Sequence, residues 1–193
     1  MNNKVKDIIF ISGYILIGIL TRTVWHIAPN VEFVTALTLC GAYFIRRNYS
    51  LAIPFGIMFI SDMIIGNQAI YIFTWSAFGI AWLMGKLMNM ERIQKFGVKL
   101  PRLFKLALVS ETSGILFTML FFLWTNLGVV MTTTMYPKTL EGVITSYTMG
   151  LPFLVPQLLG NIIIVPAIFV VTEIAYNMKL GKLSSKAVKL ANR

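Results

Sequence analysis

Of the 193 residues, 57% are hydrophobic and only 12% charged, about half the charge of a soluble domain, which averages about 25%. One cysteine and one histidine exclude an intramolecular disulfide, a cysteine-based zinc cluster and a helical HExxH metal site. The net charge of +10 hints at nucleic acid, but its distribution argues for a membrane instead.

Runs of about 20 apolar residues recur along the whole length and predict an all-α, polytopic membrane protein. Alternating-polarity strands are absent, which argues against a transmembrane barrel. Six transmembrane helices are expected, over residues 8–24, 31–45, 49–65, 69–88, 103–130 and 155–176. The first run has the apolar character of a signal peptide, but it continues into Arg22 without a small-x-small cleavage pattern and is expected to be retained. The second run is short for a span, about 22 Å at 1.5 Å per residue. Asn30 just before it is a candidate N-cap, and Glu32 a first-turn acid favoured by the helix dipole.

Between the fifth and sixth runs, residues 140–151 are apolar enough to suggest a seventh span. Charge counting rejects it. With six spans, one side holds Lys4, Lys6, Arg46, Arg47, the six cations from Lys86 to Lys105 and the five from Lys179 to Arg193; the other holds only Arg22 and Lys138. This imbalance places both termini in the cytoplasm. Residues 140–151 are therefore expected to form a re-entrant or interfacial helix on the outer side. Residues 1–178 form the transmembrane domain and 179–193 a basic cytoplasmic tail. In that tail Lys179, Lys182, Lys186, Lys189 and Arg193 make a helical stripe beside Leu180, Leu183, Ala187 and Leu190, a pattern suited to an anionic leaflet or a cytoplasmic partner.

On this topology the outer ends gather the polar side chains. Arg22 and His26 lie a turn apart, Asp62 ends the third helix, Asn126 lies near the end of the fifth, and Gln157 and Asn161 share a face of the sixth. Asn30, Asn67, Gln68, Tyr136 and Thr139 come from the loops, with Trp25, Tyr71, Trp75 and Trp124 at similar depth. An aromatic belt accounts for rings at an interface. A carboxylate at the end of a span needs water or a partner, and Arg22 is the available outer arginine for Asp62. His26, with an ordinary pKa near 6.5, is a plain loop residue, a ligand contact or a metal-binding imidazole. Glu111 is an intramembrane acid, functional by default unless paired with Lys105 or Arg102 at the inner end, and Glu173 is an interface residue. There is no Ser–His–acid arrangement, no close carboxylate pair and no phosphate-cradling glycine loop. No enzymatic activity, resident cofactor or metal is expected.

Several motifs share an order and spacing with a known group. They are R-x3-H-x2-P-N-x2-F-x-T-A-L-x-L-x-G (Arg22 to Gly41), S-D-x3-G (Ser61 to Gly66), T-N-L-G-V (Thr125 to Val129), Y-P-K-T-L-x-G (Tyr136 to Gly142) and PF-x3-QLLGN (Pro152 to Asn161). The chain resembles small bacterial membrane proteins related to the S components of energy-coupling-factor transporters, nearest the solitary cobalamin-binding type. The resemblance implies a six-helix protein that captures a vitamin or similar micronutrient from outside, cobalamin or another corrinoid first among candidates. It also implies a possible transmembrane coupling subunit driven by ATPases. It would assign substrate contacts to Arg22, His26, Asn30, Asp62, Tyr71, Trp75, Asn126, Tyr136, Thr139, Gln157 and Asn161. Two departures stand out. No cysteine follows Asp62 in residues 67–77 to ligate cobalt, and the first helix lacks the Ala-x3-Ala pattern of coupling-subunit docking, offering Ser12, Gly13 and Gly18 instead. A membrane scaffold or accessory subunit is the competing reading, and an intramembrane enzyme using Asp62 and His26 a third.

Overall fold

In the computed structural model the chain is all-helical among the described residues, which are 3–25, 30–31, 33–45, 47–66, 69–88 and 100–191, with only the backbone described for 3 and 176–191. Helix α1 spans Asn3–Thr23, α2 Val34–Phe44, α3 Ala52–Ile65 after a 3-10 turn at Asn48–Leu51, α4 Tyr71–Leu87, α5 Arg102–Thr132 and α6 Leu140–Ala191.

The molecule is apolar on the outside. Ile8 and Leu16 of α1, Phe59 and Met63 of α3, Leu116 and Leu123 of α5, and Leu159, Ile163 and Val171 of α6 are all exposed. A soluble monomer rarely exposes so much contiguous apolar surface, so lipid is the solvent that this surface fits. Among the described residues three helical stretches are long and apolar enough to cross a membrane: Asn48–Ile65, Arg102–Thr132 and Leu140–Ala175.

Helix α2 is the hub. Its 11 residues rise about 16 Å, and everything from Val34 to Ala42 is buried. It packs against α1, α3, α4, α5 and α6, which explains why it is apolar on every side rather than amphipathic. A helix this short and this enclosed does not cross a bilayer by its own length. Its start also differs from expectation. Helical geometry begins at Val34 with Phe33 at the cap position, while Asn30 lies four residues earlier with φ of +60°, so Asn30 does not cap it. The reason is steric: the left-handed conformation at Asn30 turns the chain before the helix begins, and asparagine tolerates that region.

Close approach around the hub relies on glycine. A Cβ on Gly85 of α4 would stand 2.5 Å from the Leu39 carbonyl oxygen and 2.8 Å from the Ala42 Cβ. Between apolar helices in lipid, such close packing replaces the missing hydrophobic drive. At the end of α2, Lys86 Nζ donates to the carbonyl oxygens of Ile45 (3.0 Å) and Arg47 (2.9 Å). Carbonyls at a helix C-terminus are thus satisfied by a cation that the dipole also favours.

Helix α6 is the largest departure from the expected boundaries. Residues 140–151 do not form a separate helix; they are the first turns of one continuous element that includes Pro152, Pro156 and Pro166. Each proline removes one amide donor, yet in lipid neighbouring helices support such breaks. Here the neighbour is α5, against which α6 packs extensively. Ser146 Oγ donates to the Asn126 carbonyl (3.2 Å) and Tyr147 Oη to that of Leu123 (2.9 Å), both across the α5–α6 seam. Thr139, expected to touch substrate, is at the start of α6, where its hydroxyl accepts the Gly142 amide at 3.3 Å as an N-cap does. The helical backbone passes residue 178 without interruption. The expected side-chain stripe of the tail lies outside the described residues.

The two ends of the bundle differ in chemistry. One end holds the last turn of α1, the last turn of α3 and the first turn of α4. The other holds Lys4, Lys6, Arg47, Lys86, Arg102 and Lys105. At this second end Arg102 pairs with Glu173 at 2.9 Å, and Tyr49 donates to Asp7. Glu173 is therefore a buried ion-pair member, and Glu111 is not the partner of Arg102. Arg46, Arg92, Lys95 and Lys99 lie outside the described residues.

Candidate functional site

Three helix ends converge on Asp62. Arg22, one residue before the end of α1, places Nη1 at 2.6 Å from Asp62 Oδ1 and also donates to Ser61 Oγ. Trp75, in the first turns of α4, donates its indole N–H to Asp62 Oδ2 at 2.8 Å. Each carboxylate oxygen thus has its own donor. The pair is largely out of water, with side chains 14% and 10% exposed. A pair at that depth needs further hydrogen bonds to offset its desolvation, and Ser61 and Trp75 supply them. Trp75 is in turn fixed by edge contacts with Phe55, Phe59 and Tyr71.

Beside this pair the helices leave room. A cavity of about 90 Å³ is lined by Arg22, Asn30, Thr35, Met58, Thr74, Phe78, Phe121, Gln157 and Asn161. A wider cleft of about 270 Å³ shares Asn30, Thr74, Phe121 and Gln157 with it and continues past Thr125, Asn126, Val129, Gly150 and Phe153. Glycine is required in that wall: a Cβ on Gly150 would meet Asn126 Oδ1 at 2.6 Å and Phe122 at 2.9 Å.

Of the residues singled out from the sequence, Arg22, Asn30, Asn126, Gln157 and Asn161 line the two spaces. Asp62 and Trp75 stand behind Arg22 and hold it. Tyr71 contacts Trp75. Tyr136 and Thr139 are in the α5–α6 connection and line neither space. His26, Glu32, Asn67 and Gln68 lie outside the described residues. Cys40 belongs elsewhere: its thiol is at 3.3 Å from the Tyr14 hydroxyl, in a buried knot with Thr172.

Sequence reasoning missed Thr35, Thr74, Met58, Phe78 and Phe121. Thr35 and Thr74 carried a faint signal, each being a polar residue in the first turn of a largely apolar helix. The other three are indistinguishable in sequence from lipid-facing or core residues. Among the described residues no group of His, Cys, Asp and Glu could hold a metal ion.

The chain belongs to a family described as a family of unknown function (DUF6580), whose profile matches residues 2–183. No curated protein and no solved structure matches it.

Proposed function

We propose that this member of a family of unknown function captures a small molecule in the membrane, in the manner of the S components that its motifs resemble. A single observation carries the reading. In a surface that is otherwise lipid-soluble, one end of the bundle opens a cleft into which an arginine, four carboxamides and three threonine hydroxyls converge. Polar groups at membrane depth are costly and face a cavity or one another; these face a cavity.

In the proposed arrangement all six helices cross or partly cross a bacterial inner membrane. The cation-rich end is cytoplasmic, as are both termini, by the excess of lysine and arginine there. The cleft then faces outward. The apolar stretch of α6 from Leu140 to Ala175 is about 54 Å long, against a hydrocarbon core of about 30 Å, so its first turns extend past the core on the outer side. The size of the cleft favours a micronutrient smaller than a corrinoid, since spaces of about 90 and 270 Å³ are at the lower limit for a pocket holding a drug-sized ligand. With no thiol in the cleft, cobalt ligation by cysteine has no support. A coupling subunit with ATPases remains part of the proposal as a partner, with solitary operation the simpler form.

The test is a thermal-unfolding screen of the detergent-purified chain against cobalamin, corrinoid precursors, smaller vitamins and nucleoside precursors, with mass spectrometry of any copurified compound. One clear stabilisation is expected. The scaffold reading is separated by Gln157→Ala, which removes a cleft-lining carboxamide without removing a hydrogen bond among the described residues. Growth dependent on uptake should fail in this variant at normal protein abundance; unchanged growth would favour a scaffold.

A further inference from the structure

The hydrogen-bonding state of the cleft constrains what it can hold. Charge comes first. Among the described residues that line or support the cleft, the charged groups are Arg22 and Asp62, and they neutralise each other at 2.6 Å. Among the described residues a charged ligand would find no counter-ion outside that pair, or would have to break a pair that Ser61 and Trp75 also brace. In a low-dielectric site either alternative is costly.

Polarity comes second. Thr118 donates its hydroxyl to the Gly114 carbonyl at 2.8 Å, so towards Asn161 it can only accept. The amide end of Asn161 must therefore be the one bonded to Thr118, at 2.8 Å, which leaves the Asn161 carbonyl oxygen as an acceptor on the cavity side. Asn161 is only 3% exposed. Thr35 is equally buried at 3% and lines the same cavity, yet its hydroxyl makes no hydrogen bond among the described residues. Most helical threonines in this protein back-bond to the carbonyl four residues earlier, as Thr21, Thr125 and Thr132 do. For Thr35 that carbonyl is on Val31, ahead of the helix, so no helical acceptor is in place. Buried polar groups are nearly always paired, and these two share one cavity. Gln157 on the same wall makes no hydrogen bond among the described residues and offers both a donor and an acceptor.

Shape comes third. Phe78 and Phe121 flank these groups, their ring centroids 5.5 Å apart, with Met58 beside them. Aromatic walls around a few convergent polar groups suit a flat ring whose edge is polar.

We infer that the cleft takes an uncharged, flat heterocycle that presents an N–H donor next to a carbonyl acceptor, as in a lactam or ureide edge. The N–H meets the Asn161 carbonyl oxygen, the carbonyl meets a donor from Gln157 or Thr35, and the ring lies against Phe78 and Phe121. The inference rests on the capture reading above and narrows it to a chemical class.

The experiment uses the full chain in detergent, with equilibrium binding measured for uracil, hypoxanthine and lumichrome. Each is compared with an N-methylated counterpart that lacks the donor, and uracil also with orotate, its carboxylate counterpart. At least one neutral N–H compound should bind, and its methylated or charged counterpart about tenfold or more weakly. Thr35→Val, which keeps the shape and removes the hydroxyl, should weaken that binding about fivefold to tenfold. Asn161→Leu should abolish it; if that variant does not fold, Thr35→Val still decides. Binding of a carboxylate or cation from the wider vitamin screen, lost in Gln157→Ala, with no neutral N–H ring bound, would overturn the class while leaving the capture reading intact. No binding by any compound of either set would overturn both. Equal binding of the methylated and unmethylated rings would remove Asn161 from the proposal.

Discussion

Asp62 shows how far one residue's role depends on its neighbours. It accepts separate hydrogen bonds from Arg22 and from the Trp75 indole. Asp62→Ala removes the carboxylate partner of a largely buried guanidinium and of an indole N–H together, and breaking such a pair costs about 3 kcal/mol or more. The midpoint of thermal unfolding in detergent should fall markedly. The double variant Arg22→Met, Asp62→Leu should be less damaging than Asp62→Ala alone, because no charge is left without a partner. If the double variant is the sum of the two singles, the pair is not coupled and this account of the site is wrong. Trp75→Phe isolates the indole contribution: it keeps most of the ring packing against Phe55 and Phe59 but removes one donor, and should cost about 1–2 kcal/mol.

At the scale of elements, α2 governs the architecture because it is short, buried and touched from every side. The closest approach to it comes from α4 at Gly85. Gly85→Ala must push the backbones apart and should destabilise by about 1–3 kcal/mol, as overpacking does. Gly13→Ala in α1 is the control: its Cβ would meet nothing within 4 Å, and the helix propensity of alanine makes it neutral or stabilising by up to about 1 kcal/mol. Denaturation midpoints of the two variants in the same detergent compare them directly. Reversed signs would show that α2 and α4 have room to separate. Helix α6 carries the complementary lesson. Pro152 and Pro156 end a helix in water by most local rules, yet seams such as Ser146 and Tyr147 to α5 hold the chain on its helical course through them.

For the whole molecule, charge distribution and polar placement make one joint prediction. If the cation-rich end is cytoplasmic, a cysteine at position 138 should react with a membrane-impermeant maleimide in intact cells, whereas one at position 47 should react only after permeabilisation. Cys40 is fully buried and provides a low background. Labelling of position 47 but not 138 in intact cells would invert the topology and turn the cleft towards the cytoplasm.

Composition and the spacing of apolar runs sufficed to establish an all-helical membrane protein, and the bounds of its helices were legible to within a few residues except for α6, which starts and ends well outside the expected 155–176. These features are local: a lipid-soluble surface demands apolar side chains wherever the chain meets it, and each run records that demand separately. The gathering of Arg22, Asp62, Asn126, Gln157 and Asn161 near one end was also legible, because alternate helices must end on the same side. Three things were decided only by the tertiary structure. The enclosure of α2, the continuity of α6 and the exact walls of the cleft depend on which faces meet, and apolar residues read alike whether they face lipid or one another. Thr35 makes the point at the smallest scale. In sequence it is one threonine among several; in the fold it is a buried hydroxyl with a cavity before it and no helical carbonyl behind it.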